Sequence, residues 1–277
     1  MKRILLALDS SKPGIAAQEY AIDMAKRFNA TLTGIAVLDT PWITAAQPEP
    51  LGGSAFKMHR DDMVIRQSKE HLDFLLDEFR AACTKAKINF ETRETEGFPA
   101  LEIEYLSHEH DIIVIGRVTD FHFELDDDSD ITVRHIARDN PRPILLVPET
   151  VGKTSKRIMV AFDGSMQASR SLQLFLLLGL ADKAELHVVA GHKYLDKAEI
   201  LAKRALTLCE AYGVKTVQHP FQMTGSAAES LMKHAQDLDV SMMVIGGFSH
   251  TVLHEAFFGS CTKTLMRKSP VPLFMHH

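Results

Sequence analysis

Cysteine is scarce in this chain. Three occur in 277 residues, Cys83, Cys209 and Cys261, widely separated and without the paired spacing of a zinc site. That excludes a disulfide scaffold and points to a reducing compartment, so the expected location is cytoplasmic. Cys83 and Cys209 fall in helical patterns, as core residues do. No apolar run approaches the ~18 residues that a membrane-spanning helix requires. Met1-Lys2-Arg3 runs directly into a strand-like segment, with no leader-peptide pattern. Neither a membrane nor a nucleic-acid partner is expected, because positive charge is not in excess. Lys and Arg number 31 against 36 Asp and Glu, a net charge of -5, where nucleic-acid binders carry a basic footprint. The two familiar phosphate loops are also missing: there is no G-x-x-x-x-G-K-[ST], and no G-x-G-x-x-G after a strand.

What the chain does contain is itself, twice. Lys2-Arg3-Ile4-Leu5-Leu6-Ala7-Leu8-Asp9-Ser10-Ser11 returns as Lys156-Arg157-Ile158-Met159-Val160-Ala161-Phe162-Asp163-Gly164-Ser165. Ile112-Ile113-Val114-Ile115-Gly116 returns as Met242-Met243-Val244-Ile245-Gly246. Pro143-Ile144-Leu145-Leu146-Val147 returns as Pro272-Leu273-Phe274-Met275-His276. Three matches in one order mean duplicated domains rather than a solenoid of short units.

Each copy has the same rhythm. A short apolar strand ends in Asp (Asp9, Asp163), and a helix follows over 15–28 or 168–178. A second strand comes at 31–38 or 185–189, then a long amphipathic helix. In the second copy that helix carries Leu195, Ala198, Ala202, Ala205, Leu206 and Cys209 at helical spacing, and Gly213 supplies its stop. Ser226 with Glu229 reads as a capping box for a further helix, and Pro99 as the first turn of its counterpart. Alternating strands and helices, with strands apolar on both faces, predict an α/β chain of two tandem doubly wound parallel-sheet (Rossmann-like) domains, 1–150 and 151–277. The linker falls at 148–155. An insertion over 40–67 in the first copy, with Pro41, Pro48, Pro50, Gly52 and Gly53, reads as a loop over one face before a longer helix.

In doubly wound sheets ligands sit at the carboxyl ends of the strands, at the switch point. There the second copy carries Gly246-Gly247-Phe248-Ser249 after the apolar run 240–245, then Gly259-Ser260-Cys261-Thr262 before a helix read from Lys263. A glycine-punctuated loop leading to a helix N-terminus brings backbone N–H groups and partial positive charge to a polyanion.

The repeat, the strand endings and this spacing resemble the universal stress protein family in its tandem two-domain form. Nucleotide-binding members carry G-x2-G-x9-G-[ST] after the fourth strand and an Asp closing the first; here the spacing is Gly246-x2-Ser249-x9-Gly259-Ser260, with Asp163-Gly164-Ser165. The resemblance implies an ATP site in the second domain. Ala161, Phe162 and Asp163 would lie beside base and ribose, Val188 would line the adenine pocket, and Ile245 and Gly246 would approach by backbone. Gly259, Ser260, Cys261 and Thr262 would hold phosphates, bridged by Mg2+ without a dedicated metal cage. Ser249 replaces the second glycine of the pattern: it either obstructs the phosphates or donates its hydroxyl to one.

The first copy departs further. Arg117-Val118-Thr119 replaces the glycine turn, and Glu124, Asp126, Asp127, Asp128 and Asp130 crowd the phosphate position. A like-charge pair at 4 Å costs about 4 kcal/mol even at an effective dielectric near 20. This copy is therefore read as a degenerate site. The acidic run lacks the order of an EF-hand and reads as a solvated loop. His187, within an apolar strand, reads as a satisfied core residue, while His250 and His254 flank the phosphate loop.

No carboxylate is clearly placed to orient water, and Lys263 and His250 are weak candidates for the reacting phosphate. The function that follows is a stress-response protein that binds ATP in its second domain and acts as a nucleotide-dependent sensor or regulator, with slow hydrolysis or none. The alternative is a non-nucleotide tandem interaction scaffold that pairs through the apolar strands 144–147 and 273–275. A tandem chain can also form internally, as a pseudo-dimer, the dimer that single-domain members form; a further homodimer is compatible with this.

Overall fold

A computed structural model describes residues 1–46, 54–121, 130–151, 155–247 and 258–277. The chain divides into two compact units, Lys2–Ile136 and Ala137–His277, with Met1 grouped in the second.

The first unit opens with β1 (Arg3–Ala7), α1 (Lys12–Phe28) and β2 (Thr31–Leu38). It continues through α2 (Thr40–Ile43), α3 (Ser54–Ala86), β3 (Phe90–Glu96), α4 (Pro99–Ser107) and β4 (Ile112–Gly116). Its strands lie in the order β3-β2-β1-β4 and pair in parallel. Residues 4–7 of β1 and 112–115 of β4 are fully buried, as a sheet covered on both faces demands. Helix α1 begins where the Ser11 hydroxyl accepts the Gly14 N–H at 3.0 Å, and ends at Asn29 in the left-handed conformation (φ 48°). The 40–67 insertion is helix over much of its length, unlike the loop expected from its prolines. Its last glycine is Gly53, and α3 starts at the next residue, supported early by a Lys57–Asp61 ion pair at 2.7 Å one turn apart. Further along α3, the Phe79 ring fills the space over Gly34 and meets Phe90 edge-on at 5.9 Å.

Helix α5 (Asp130–Asp139) crosses the division, and β5 (Ile144–Val147) lies within the second unit. There follow β6 (Arg157–Ala161), α6 (Met166–Leu177), β7 (Glu185–His192), α7 (Leu195–Ala211) and β8 (Thr216–Gln222). The unit closes with α8 (Ala227–Asp237), β9 (Met242–Gly246), α9 (Phe258–Lys268) and β10 (Leu273–His276). Strand order is β5-β10-β9-β6-β7-β8, with every pair parallel except β5–β10. In that antiparallel pair Leu146 faces Leu273 and Ile144 faces Met275, so the closing strands of the two repeats pair within one chain. Phe175 of α6 meets Phe274 of β10 at 5.2 Å in the core beside them.

The capping signals act as their residue types require. Ser226 accepts the Glu229 N–H at 3.4 Å, Pro99 opens α4, and Gly213 follows α7 with φ +69°.

Candidate functional site

From β6 the chain winds outward through β7 to β8, then crosses back to β9 on the other side of β6. The reversal falls between β6 and β9, where Val160 pairs with Val244, and there a doubly wound sheet leaves a crevice at its carboxyl edge. A cleft of about 550 Å3, part of it open to solvent, lies at these strand ends.

Two local structures shape its floor. After β6, the Asp163 Oδ1 accepts the Ser165 N–H at 2.9 Å, and the Ser165 hydroxyl accepts the Ala168 N–H at 3.1 Å, starting α6. Gly164 between them has φ +76°, and a Cβ there would lie 2.6 Å from Leu201 Cδ2. After β9, Gly246 packs on the first turn of α6. A Cβ would lie 2.4 Å from the Ala168 nitrogen. The backbone of β9 thus reaches the cleft with no side chain in the way.

Of the residues singled out in the sequence, Ala161, Phe162, Asp163, Ile245, Gly246, Cys261 and Thr262 line this cleft together. Val188 does not line it. It is wholly buried, and Val189, one position on and therefore on the opposite face of β7, lines the cleft. Ser260 is not among the described lining residues; Gly259 and Ser260 lie in the first turn of α9, which starts at Phe258, five residues before the expected Lys263. Ser260 is exposed, and its carbonyl accepts the Thr264 hydroxyl at 2.8 Å. Ser249, His250 and His254 lie outside the described residues, as do Glu124, Asp126, Asp127 and Asp128 of the acidic run.

Gly191, Phe221, Met223, Ala227, Leu231 and Leu265 complete the wall, and none of them was singled out in the sequence. They come from β7, β8 and the residue after it, α8 and α9, and long-range packing rather than any local motif brings them in. Gly191 pairs with Phe221 across β7 and β8.

Among the described lining residues, Asp163 carries the one formal charge and Thr262 the one hydroxyl. Burial, and then the charge of Asp163, push the Cys261 thiol up to about 11, so it stays protonated and acts as a small apolar wall. Through Cys261 and Thr262 the N-terminal end of α9 borders the cleft, and a helix N-terminus carries partial positive charge that suits an anion. Asp163 keeps Oδ2 free of hydrogen bonds among the described residues, and a carboxylate so placed accepts from vicinal hydroxyls. A carboxylate, an apolar wall and a helix N-terminus fit the ribose, base and phosphates of a nucleotide. The described residues contain no cluster of three or more His, Cys, Asp or Glu able to hold a metal ion.

Below the cleft, two positions down the same faces of β7 and β8, His187 and His219 share a ring-nitrogen hydrogen bond of 2.9 Å. Glu185 Oε1 lies 3.7 Å from His187 Nε2 and is itself paired with Lys215. Burial holds both histidines below the ordinary imidazole range. His187 is thus a buried residue with a partner, His219, that the sequence did not disclose.

The corresponding place in the first unit is filled. Asp9 is 5% exposed, its Oδ1 accepting the Ser11 N–H at 2.8 Å. The segment after β4 folds back: the Ser11 hydroxyl donates to the Val118 carbonyl at 2.9 Å, and Ser10 to Asp120 at 3.3 Å. Among the described residues, Asp9 Oδ2 and Asp120 Oδ1 are buried without hydrogen-bond partners. Burial first, offset in part by the Ser11 and Asp120 hydrogen bonds and reinforced by the Asp120 charge, raises Asp9 to about 6. Two carboxyls and a folded-back backbone thus stand together at this end of the first unit.

The comparisons agree with this architecture. The model of the universal stress protein family matches residues 1–120 and 154–277. A universal stress protein of Synechocystis sp. strain PCC 6803 is 23% identical over 297 aligned positions, covering 99% of each chain. The crystal structure of a universal stress protein from Archaeoglobus fulgidus DSM 4304 superposes with a TM-score of 0.72 at 19% identity, over 99% of this chain and 97% of that one. One from Pseudomonas aeruginosa UCBPP-PA14 gives 0.56 at 17% identity, over 100% of this chain and 93% of that one. At such identities the solved structures speak for the fold. The chain belongs to the universal stress protein family and carries the family's domain twice.

Proposed function

We propose that the second repeat binds ATP in the cleft at the ends of β6, β7 and β9, and that the protein acts as a nucleotide-dependent sensor or regulator. One observation carries the reading. Asp163 and the first turn of α9 face one cleft at the point where strand order reverses, with a largely apolar wall between. In this reading Asp163 receives the ribose hydroxyls, the apolar wall receives adenine, and the N–H groups that open α9 meet the phosphates. Mg2+ arrives with the phosphates. Turnover is slow or absent, because the one carboxylate among the described lining residues is committed to the ribose. The first repeat does not bind nucleotide in this manner and serves the second structurally or as a regulator. The β5–β10 pairing joins the closing strands of both repeats within one chain, so that edge requires no second chain.

The test is mass spectrometry of small molecules released by acid from the purified, unheated protein. Adenine nucleotide near one equivalent per chain supports the reading. Protein free of nucleotide that also fails to take up added ATP favours the tandem interaction scaffold instead.

A further inference from the structure

The wall formed by β7, β8 and α8 was not anticipated by any motif, and its chemistry is uniform. Val189, Gly191, Phe221, Met223, Ala227 and Leu231 offer a ligand no side-chain hydrogen bond and no charge. Phe221 dominates it. From the end of β8 its ring crosses the neighbouring strand and lies over Gly191. A Cβ built at 191 would sit 2.5 Å from the ring Cζ and 2.8 Å from Cε1. Glycine within a strand marks such a close approach, and here it is what lets the ring extend toward the cleft. Behind it the His234 ring packs at 4.7 Å between centroids, itself held by a 2.8 Å contact between its Nδ1 and the Ser230 carbonyl. Phe221 is only half-buried, so the ring is braced from strand and helix while remaining part of the cleft lining.

We propose that Phe221, seated over Gly191, is the specificity-determining residue for the base, which packs against its ring. The proposal rests on nucleotide binding by this cleft and adds which group selects the ligand. An unsubstituted aromatic surface selects by contact area and polarisability rather than by hydrogen-bond pattern. A purine, with two fused rings, therefore gains more from it than a pyrimidine does. His234 acts through Phe221 as a positioning residue.

The experiment is calorimetric titration of the full chain with MgATP and with MgCTP, for the wild type, Phe221→Leu, Phe221→Tyr and Gly191→Ala. The wild type is expected to bind ATP a few-fold more tightly than CTP, a fraction of what one whole base–aromatic contact supplies. Phe221→Leu removes the ring and Gly191→Ala displaces it, so in both the ratio falls toward one; Phe221→Tyr keeps the ring and the ratio. General damage to the fold weakens both ligands alike and leaves the ratio where it was, so the ratio isolates the base contact. ATP binding with an unchanged ATP-to-CTP ratio in both Phe221→Leu and Gly191→Ala overturns the role of Phe221 and leaves the nucleotide site standing. A wild type that binds neither nucleotide overturns both.

Discussion

Gly246 at the end of β9 abuts the backbone nitrogen of Ala168 in the first turn of α6, so closely that a Cβ at 246 would lie 2.4 Å from it. The contact joins the two strands on either side of the switch point to one helix start. Because the obstacle is backbone, no side chain can swing aside. Gly246→Ala is expected to lower stability by about 1–3 kcal/mol, the usual cost of overpacking, and to weaken ligand binding by moving Asp163. Urea denaturation compared with Gly247→Ala checks this. There the nearest atoms, Met275 Cε at 3.2 Å and the His276 carbonyl oxygen at 3.3 Å, need give only a few tenths of an ångström, so the loss is smaller.

Asp9 makes a pH prediction for the first unit. Its folded pKa is raised, to about 6 from 3.8. The folded state therefore holds a proton that the unfolded chain has already released. Asp9's stabilising contribution is fully present below 3.8 and is lost as pH rises through about 6. About two units correspond to roughly 3 kcal/mol. Asp9→Asn can still accept from Ser11 and carries no charge, so at pH 7 it is expected to be more stable than wild type by roughly 1–3 kcal/mol. At pH 4 the gain disappears. Equal stabilisation at both pH values in thermal melts would contradict the assignment.

The His187–His219 pair runs the other way. Burial lowers both pKa values from 6.5, while the unfolded chain keeps the ordinary value. The pair's stabilisation is complete above pH 6.5 and is lost as pH falls through the depressed folded values. Glu185, Arg157, Lys215 and His234 supply the surrounding charge. In proton NMR the two rings are expected to titrate below 6.5, and His187→Ala to remove the part of the His219 shift that comes from its neighbour. Titration of both near 6.5 would remove the basis for the pair.

All three thiols are buried, and burial raises each: Cys83 to about 12, Cys261 to about 11, and Cys209 also upward. At pH 8 a thiol near 11 is ionised about one part in a thousand. Native protein is therefore expected to resist iodoacetamide at pH 8 and to alkylate at all three positions once unfolded. Rapid labelling of native Cys261 would mean that the cleft wall is more open than described.

The fold was readable because duplication repeats the same evidence twice, and because Asp9 and Asp163 mark where strands give way to helices. Half of the described cleft lining is legible for the same reason: Asp163 and Gly246 lie in short local motifs. The other half is not. Residues 186–190 of β7 are buried on both faces, so no polar alternation reveals which face meets the cleft, and Val188 was read where Val189 lies. Phe221 reaches the cleft only through the β7–β8 register that pairs it with Gly191, a long-range fact with no local signature. The sequence points to a helix start at Lys263 because Gly259 reads as loop. The helix nonetheless runs back to Phe258, where Cys261 and Leu265 recur one turn apart on its buried side. The helical start of α3 was hidden in the same way behind the prolines and glycines that precede it.

The central claim is one nucleotide site per chain, in the second repeat. The most direct test is calorimetric titration of the full chain with MgATP, wild type against Asp163→Asn and Gly259→Asp. Asn at 163 can still accept from Ser165, so the turn survives while the charge that receives the ribose is gone. Asp at 259 suits the start of a helix but repels phosphate. The account predicts a stoichiometry of one for wild type, roughly ten- to hundredfold weaker binding for Asp163→Asn, and none for Gly259→Asp. ATP binding that neither substitution disturbs, or no binding by the wild type, would contradict it.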